Sequence, residues 1–167
     1  MIPPRVNQQP LPIGPGLRNI RFGIGFWIWL ALVSVVLLWT TSSPPEVTQV
    51  RVVVMTLLGL AALLMPIALI MSERTASHLA AAAKLGNFRW DLIEPLRRQR
   101  NRCLVLAIVY ACVFAITVIY NAQSPNEWNY PLTLLYGNSA VAGIFGVGGC
   151  NTMLKAFLHP PAYRQRW

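Results

Sequence analysis

Acidic side chains are scarce in this 167-residue chain. It carries five Asp or Glu against 14 Lys or Arg, a formal net charge of +9, and only 11% of its residues are charged. A soluble domain has about 25% charged residues. So few charges cannot cover a water-facing surface when 55% of the residues are hydrophobic, and the mean hydropathy of +0.49 agrees. The composition predicts a lipid-covered surface. Other scarcities narrow the chemistry. The three cysteines, Cys103, Cys112 and Cys150, lie far apart without a C-x-x-C, so neither a zinc site nor a dithiol redox motif is expected, and all three read as small buried hydrophobes. No N-x-S/T sequon occurs, and only Lys84 and Lys155 are lysines, a bias that points to GC-rich coding and a bacterial source.

Four stretches lack any charged residue and reach the roughly 20 residues that cross a bilayer as a helix. They run over Phe22–Pro45, Val52–Ser72, Cys103–Asn126 and Trp128–Leu154. Pro66 removes one backbone bond from the second and predicts a kink. The first is longer than a signal-peptide core, lacks an A-x-A site and ends at a Ser42–Pro45 turn, so it is expected to remain in the mature protein. The absence of Asp, Glu, Lys and Arg within the spans argues against a proton pathway and against an enzyme with its acid, base or metal ligands inside the bilayer. His78 and His159 both fall outside the spans, so a b-type haem is not expected, and no cofactor or metal is assigned.

Basic residues set the expected orientation. With the N-terminus inside, Arg5, Arg18 and Arg21, then Arg74, Lys84, Arg89, Arg97, Arg98, Arg100 and Arg102, then Lys155, Arg164 and Arg166 all face the cytoplasm, leaving only Arg51 outside. The fold expected is therefore all-α and polytopic: four transmembrane helices as two hairpins joined by a cytoplasmic helical extension, with both termini at the cytoplasmic face of the inner membrane. A Pro-rich tail occupies 1–21, the four-helix domain 22–158 with its cytoplasmic hairpin at 73–102, and a second tail 159–167. The N-terminal twenty residues, with five prolines, read as extended when alone. Phe22, Phe26, Trp27 and Trp29 at one end of the first span, Trp39 at the other, and Tyr120, Trp128 and Tyr130 around the last outer loop read as interfacial aromatic belts.

The segment 73–102 carries the most information. Its alanine-rich start, Gly86-Asn87, and then Asp91, Glu94 and Pro95 read as a helix, a C-cap and a new helix beginning near Asp91. Arg97, Arg98, Arg100 and Arg102 are expected to meet anionic lipid headgroups or an acidic partner, and not nucleic acid, since no stacking aromatics accompany them. Phe88 and Trp90, beside Arg89 on a short turn, are candidate partner-docking anchors.

The fourth span contains GNSAVAGIFGVGG. Ser139, Ala142, Gly143 and Gly146 share one helical face and form the candidate helix-packing interface, with Asn138 and Asn151 as added hydrogen-bonding groups. The function these features suggest is a small non-enzymatic membrane subunit, an accessory or scaffold component of a larger inner-membrane complex of secretion, conjugation or energy-transducing type, with other membrane subunits as partners. The alternative is a homo-oligomeric channel or membrane-perturbing protein with the fourth span at its pore. An enzyme at headgroup level using His78, Glu73 or Asp91 is a third reading.

Overall fold

The computed structural model describes residues 13–40, 57, 59–84, 90–123 and 129–158. Among them the chain is helical without strands: α1 spans Gly14–Thr40, α2 Leu64–Lys84, α3 Ile93–Gln123 and α4 Asn129–Leu158, with a 3-10 turn at Trp90–Leu92 leading into α3. Four helical segments are long and apolar enough to cross a membrane, Gly14–Leu37, Gly59–Ala83, Ile93–Gln123 and Tyr130–Leu158. Their length and composition are those expected of a multi-pass membrane protein.

Local sequence explains the helix boundaries. Gly14 and Pro15 open α1, eight residues ahead of the expected span. A proline in the first turn forfeits an N–H that has no helical partner anyway. The expectation of an extended segment up to residue 20 therefore fails from Gly14 onward: Ile13 and Ile20 are buried, and a Cβ on Gly16 would stand 2.5 Å from Met153 Cγ. Pro66 disturbs the second span at the turn before it, as a proline inside a helix does. A turn at Leu63, closed by Leu63 N–H to Leu60 O at 3.1 Å, separates the helical residues 59–62 from α2. Tyr110 Oη on α3 donates to the Ala61 carbonyl beside this break, satisfying a backbone group in an apolar setting. Glu94 and Pro95 occupy the first turn of α3, where an acid favours the helix dipole and a missing N–H costs nothing. Asp91 lies in the preceding 3-10 turn.

Neighbouring helices run antiparallel, as paired contacts show. On α1 and α4, Gly16 meets Gly149 while Gly23 meets Ala142; on α3 and α4, Cys103 meets Gly146 while Phe114 meets Gly137. Helix α4 is the centre of the bundle. Half of its most apolar stretch is buried, against 17% in α1 and α3, and it packs chiefly on those two helices. Glycine and alanine allow this, because backbones separated by small side chains gain van der Waals contact that lipid cannot supply.

The interior divides into two apolar clusters. One joins Trp27, Met65, Leu69, Cys103, Tyr110, Tyr136 and Ala142. The other lies at the arginine-rich end and joins Ile20, Ala76, Leu79, Leu96, Cys150, Met153 and Phe157. Ser72, Ala76 and Leu79 are buried and Ala83 is half-buried at the spacing of one helix face, so α2 keeps a packed stripe to its end. Many large side chains on the outer surface are apolar, among them Ile28, Trp29, Leu32, Val36, Ile108 and Ile116.

Candidate functional site

Two features combine polar chemistry with defined geometry. The first is a seam of neutral hydrogen bonds through the bundle. Trp27 Nε1 donates to Ser139 Oγ at 3.0 Å, Ser139 Oγ donates to the Leu135 carbonyl at 2.8 Å, and Asn138 Nδ2 donates to the Trp27 carbonyl at 3.2 Å. Nearer the other end, Asn121 Nδ2 donates to Thr133 Oγ1 at 2.9 Å. Trp27 is only 9% exposed, so its assignment to the aromatic belt is corrected: the indole faces α4 because its N–H finds an acceptor there. Phe22 and Trp29 do face outward, Phe26 is half-buried, and Tyr120 and Tyr130 are exposed. The side chain of Trp39 and residue Trp128 lie outside the described residues.

The small-residue face of α4 is filled by the chain's own helices. Ser139 and Ala142 are fully buried. A Cβ on Gly143 would stand 2.6 Å from Met65 Cε and 2.8 Å from Ala107 Cβ; one on Gly146 would stand 2.6 Å from Leu69 Cδ2 and 3.2 Å from Cys103 Sγ. Cys103 and Cys150 are buried, whereas Cys112 is exposed on α3, which corrects its assignment to the interior.

The second feature is the arginine-rich end. Arg21 donates through Nε and Nη2 to Glu73 Oε1 at 3.0 and 2.9 Å, tying α1 to α2, and Ser77 Oγ donates to the same oxygen at 3.0 Å. Glu73 is thereby engaged as a structural anion, and His78 is exposed. The four arginines of α3, which sequence alone treats as one group, have separate surroundings. Arg97 and Arg98 flank Glu94 at 3.7 and 3.4 Å, on the exposed surface. Arg100 turns inward, donating to Asn151 Oδ1 on α4 at 3.3 Å and to Asn101 Oδ1 at 2.8 Å. Arg102 is exposed, has no acid partner among the described residues, and lines a groove with Gln99 and Asn101. All four arginines lie beyond the first turn of α3, where the helix dipole has faded, so the dipole does not explain the cluster.

Phe88 lies outside the described residues; Trp90 enters the 3-10 turn by its backbone, and its side chain is likewise outside them. Gly86-Asn87, residues 1–12 of the first tail and the whole second tail, with His159, are also outside. Among the described residues no group of three His, Cys, Asp or Glu side chains could hold a metal ion. The chain matches no family model, and no curated protein and no solved structure matches it.

Proposed function

We propose that the chain is a small non-enzymatic membrane subunit, an accessory or scaffold component of a larger inner-membrane complex. In this reading both termini and the arginine-rich end face the cytoplasm. The four helices form two hairpins joined by a cytoplasmic helical extension, with Phe88 and Trp90 at its tip as partner anchors.

One observation carries the reading: the second apolar cluster, in which Ala76 and Leu79 of α2 and Leu96 of α3 are buried against Ile20, Met153 and Phe157. Lipid does not require a packed core at the level of the arginines. At 1.5 Å per residue the 31 residues of α3 reach about 46 Å, beyond the roughly 30 Å hydrocarbon layer. Such a core holds the extension rigid and presents Arg97 and Arg98 on a fixed surface, which suits docking. The interior polar groups form neutral hydrogen bonds between helices, an arrangement suited to holding a shape. The channel alternative gains no support from α4, whose small-residue face is occupied within the chain.

The test is co-purification in mild detergent of the wild type, an Arg97→Gln/Arg98→Gln variant and a Phe88→Ala/Trp90→Ala variant. Both variants should insert normally, since insertion depends on the apolar runs, and at least one should lose a stoichiometric partner that the wild type retains. Partner-free wild type giving discrete conductance steps in liposomes would contradict the proposal.

A further inference from the structure

The hydrogen-bond ladder of the second span is open at the turn before Pro66, and a side chain of another helix stands in the opening. An α-helix closes each turn with a bond from one N–H to the carbonyl four residues back. Pro66 has no N–H, so the Ala62 carbonyl loses its helical partner. The rung before it is missing too. Backbone bonds here run from Leu63 N–H to Leu60 O at 3.1 Å and from Ile67 N–H to Leu63 O at 3.4 Å, and none joins Met65 to Ala61 among the described residues. Tyr110 of α3 takes that place. Its hydroxyl donates to the Ala61 carbonyl, and the Met65 N–H is its second backbone neighbour. A side chain inserted into the ladder is, like proline, a recognised cause of helix bending.

The two sides of the opening are held differently. After it, Met65, Ala68, Leu69 and Ser72 are buried in the bundle. Before it, Leu57 and Leu60 face outward, and Ala62 is the one buried side chain among the described residues 57–62. An alanine methyl buries little apolar area, so the Tyr110 bond is the strongest tie on that side. From these observations we infer that Tyr110 is a latch on a hinge in the second span. With the hydroxyl between Ala61 and Met65, residues 57–62 form a short arm set off from α2. With the hydroxyl withdrawn, Met65 N–H donates directly to Ala61 O, the rung closes, and the arm swings into line with α2. Both forms satisfy the same two backbone groups, as hydrocarbon requires. The released hydroxyl loses its acceptor, and that cost keeps the latch shut at rest. Because Tyr110 belongs to α3, a movement of α3 is passed to the arm of a different helix. The hinge does not rest on the scaffold reading, so either can fail alone.

Spin-label distances provide the test. In the full-length protein with its native cysteines replaced by alanine, one label is placed at Val36→Cys on α1. The second goes to Leu57→Cys, before the opening, or to Ile67→Cys, after it; all three native side chains are exposed. Six residues from Leu57 to Leu63 make an arm of about 9 Å, and a bend of about 20° at its base moves its end by roughly 3 Å. Tyr110→Phe keeps the ring and removes the hydroxyl. It should shift the mean distance between positions 36 and 57 by about that amount and leave the distance between positions 36 and 67 unchanged, read by double electron–electron resonance in nanodiscs. Pro66→Ala supplies the missing N–H while Tyr110 stays intact. It should shift the distance between positions 36 and 57 in the same direction, and it carries the test if Tyr110→Phe does not fold. An unchanged distance between positions 36 and 57 in Tyr110→Phe would overturn the proposal. So would an equal shift at both pairs, which describes movement of the whole helix and not of an arm.

Discussion

Trp27 on α1 and Ser139 on α4 are joined by an indole N–H to hydroxyl hydrogen bond of 3.0 Å inside the bundle. The bond fixes the rotation of α1 about its own axis. It turns Trp27 inward while Phe22 and Trp29, on the other side of the helix, remain outside. Trp27→Phe keeps most of the ring and removes the donor. The change should destabilise the protein through both the lost bond and the volume of the missing ring, the bond's own share being about 0.6 kcal/mol, the usual scale for interhelical hydrogen bonds in membranes. A double-mutant cycle with Ser139→Ala, read by unfolding in mixed micelles, should give a coupling of that size; strictly additive effects would mean that the bond contributes nothing.

Glycines on α4 should divide by what stands opposite them. A Cβ at Gly146 would come within 2.6 Å of Leu69, whereas one at Gly148 meets nothing within 4 Å. Gly146→Leu should therefore cost about 1–3 kcal/mol through overpacking, and Gly148→Leu should fall within about 0.5 kcal/mol of wild type. Thermal unfolding in detergent compares them directly, and equal midpoints would contradict the packing described.

The three cysteines supply an independent check on burial. Cys112 is exposed on α3, and Cys103 and Cys150 are buried. A membrane-permeant thiol reagent applied to the folded protein in detergent should modify Cys112 alone before unfolding. Early labelling of Cys103 or Cys150, located by peptide mass, would contradict the helix rotations.

Orientation is predicted from the distribution of Lys and Arg. In a background with the native cysteines removed, Ser43→Cys and Ser124→Cys should react with an impermeant reagent added to intact cells, and His78→Cys should react only after the membrane is opened. External labelling at position 78 would reverse the topology.

The existence of the four helices was legible in the chain because length and the absence of charge suffice to define a membrane span. The small face of α4 was legible too, as a periodicity of Ser139, Ala142, Gly143 and Gly146. Three things were not. The early start of α1 depends on Ile13, Gly16 and Ile20 meeting Gly149 and Met153, a contact between distant parts of the sequence. Aromatic residues near a span end look alike in sequence, and only the acceptor on Ser139 distinguishes Trp27 from Trp29. The four arginines form one motif in sequence, yet Glu94 holds two, Asn151 draws in a third, and Gln99 with the apolar residues of α2 gives the fourth its own setting. Partners three or four residues away could be inferred from spacing; those on another helix could not.

The central claim is that this bundle is one subunit of a larger assembly. The most direct measurement is the mass of the particle extracted from native membranes in a polymer nanodisc without detergent, with its chains identified by mass spectrometry. The account predicts a particle in which this 18.6 kDa chain is accompanied in fixed ratio by at least one different membrane protein. A particle that holds this chain alone, as a monomer or a homo-oligomer, would contradict it.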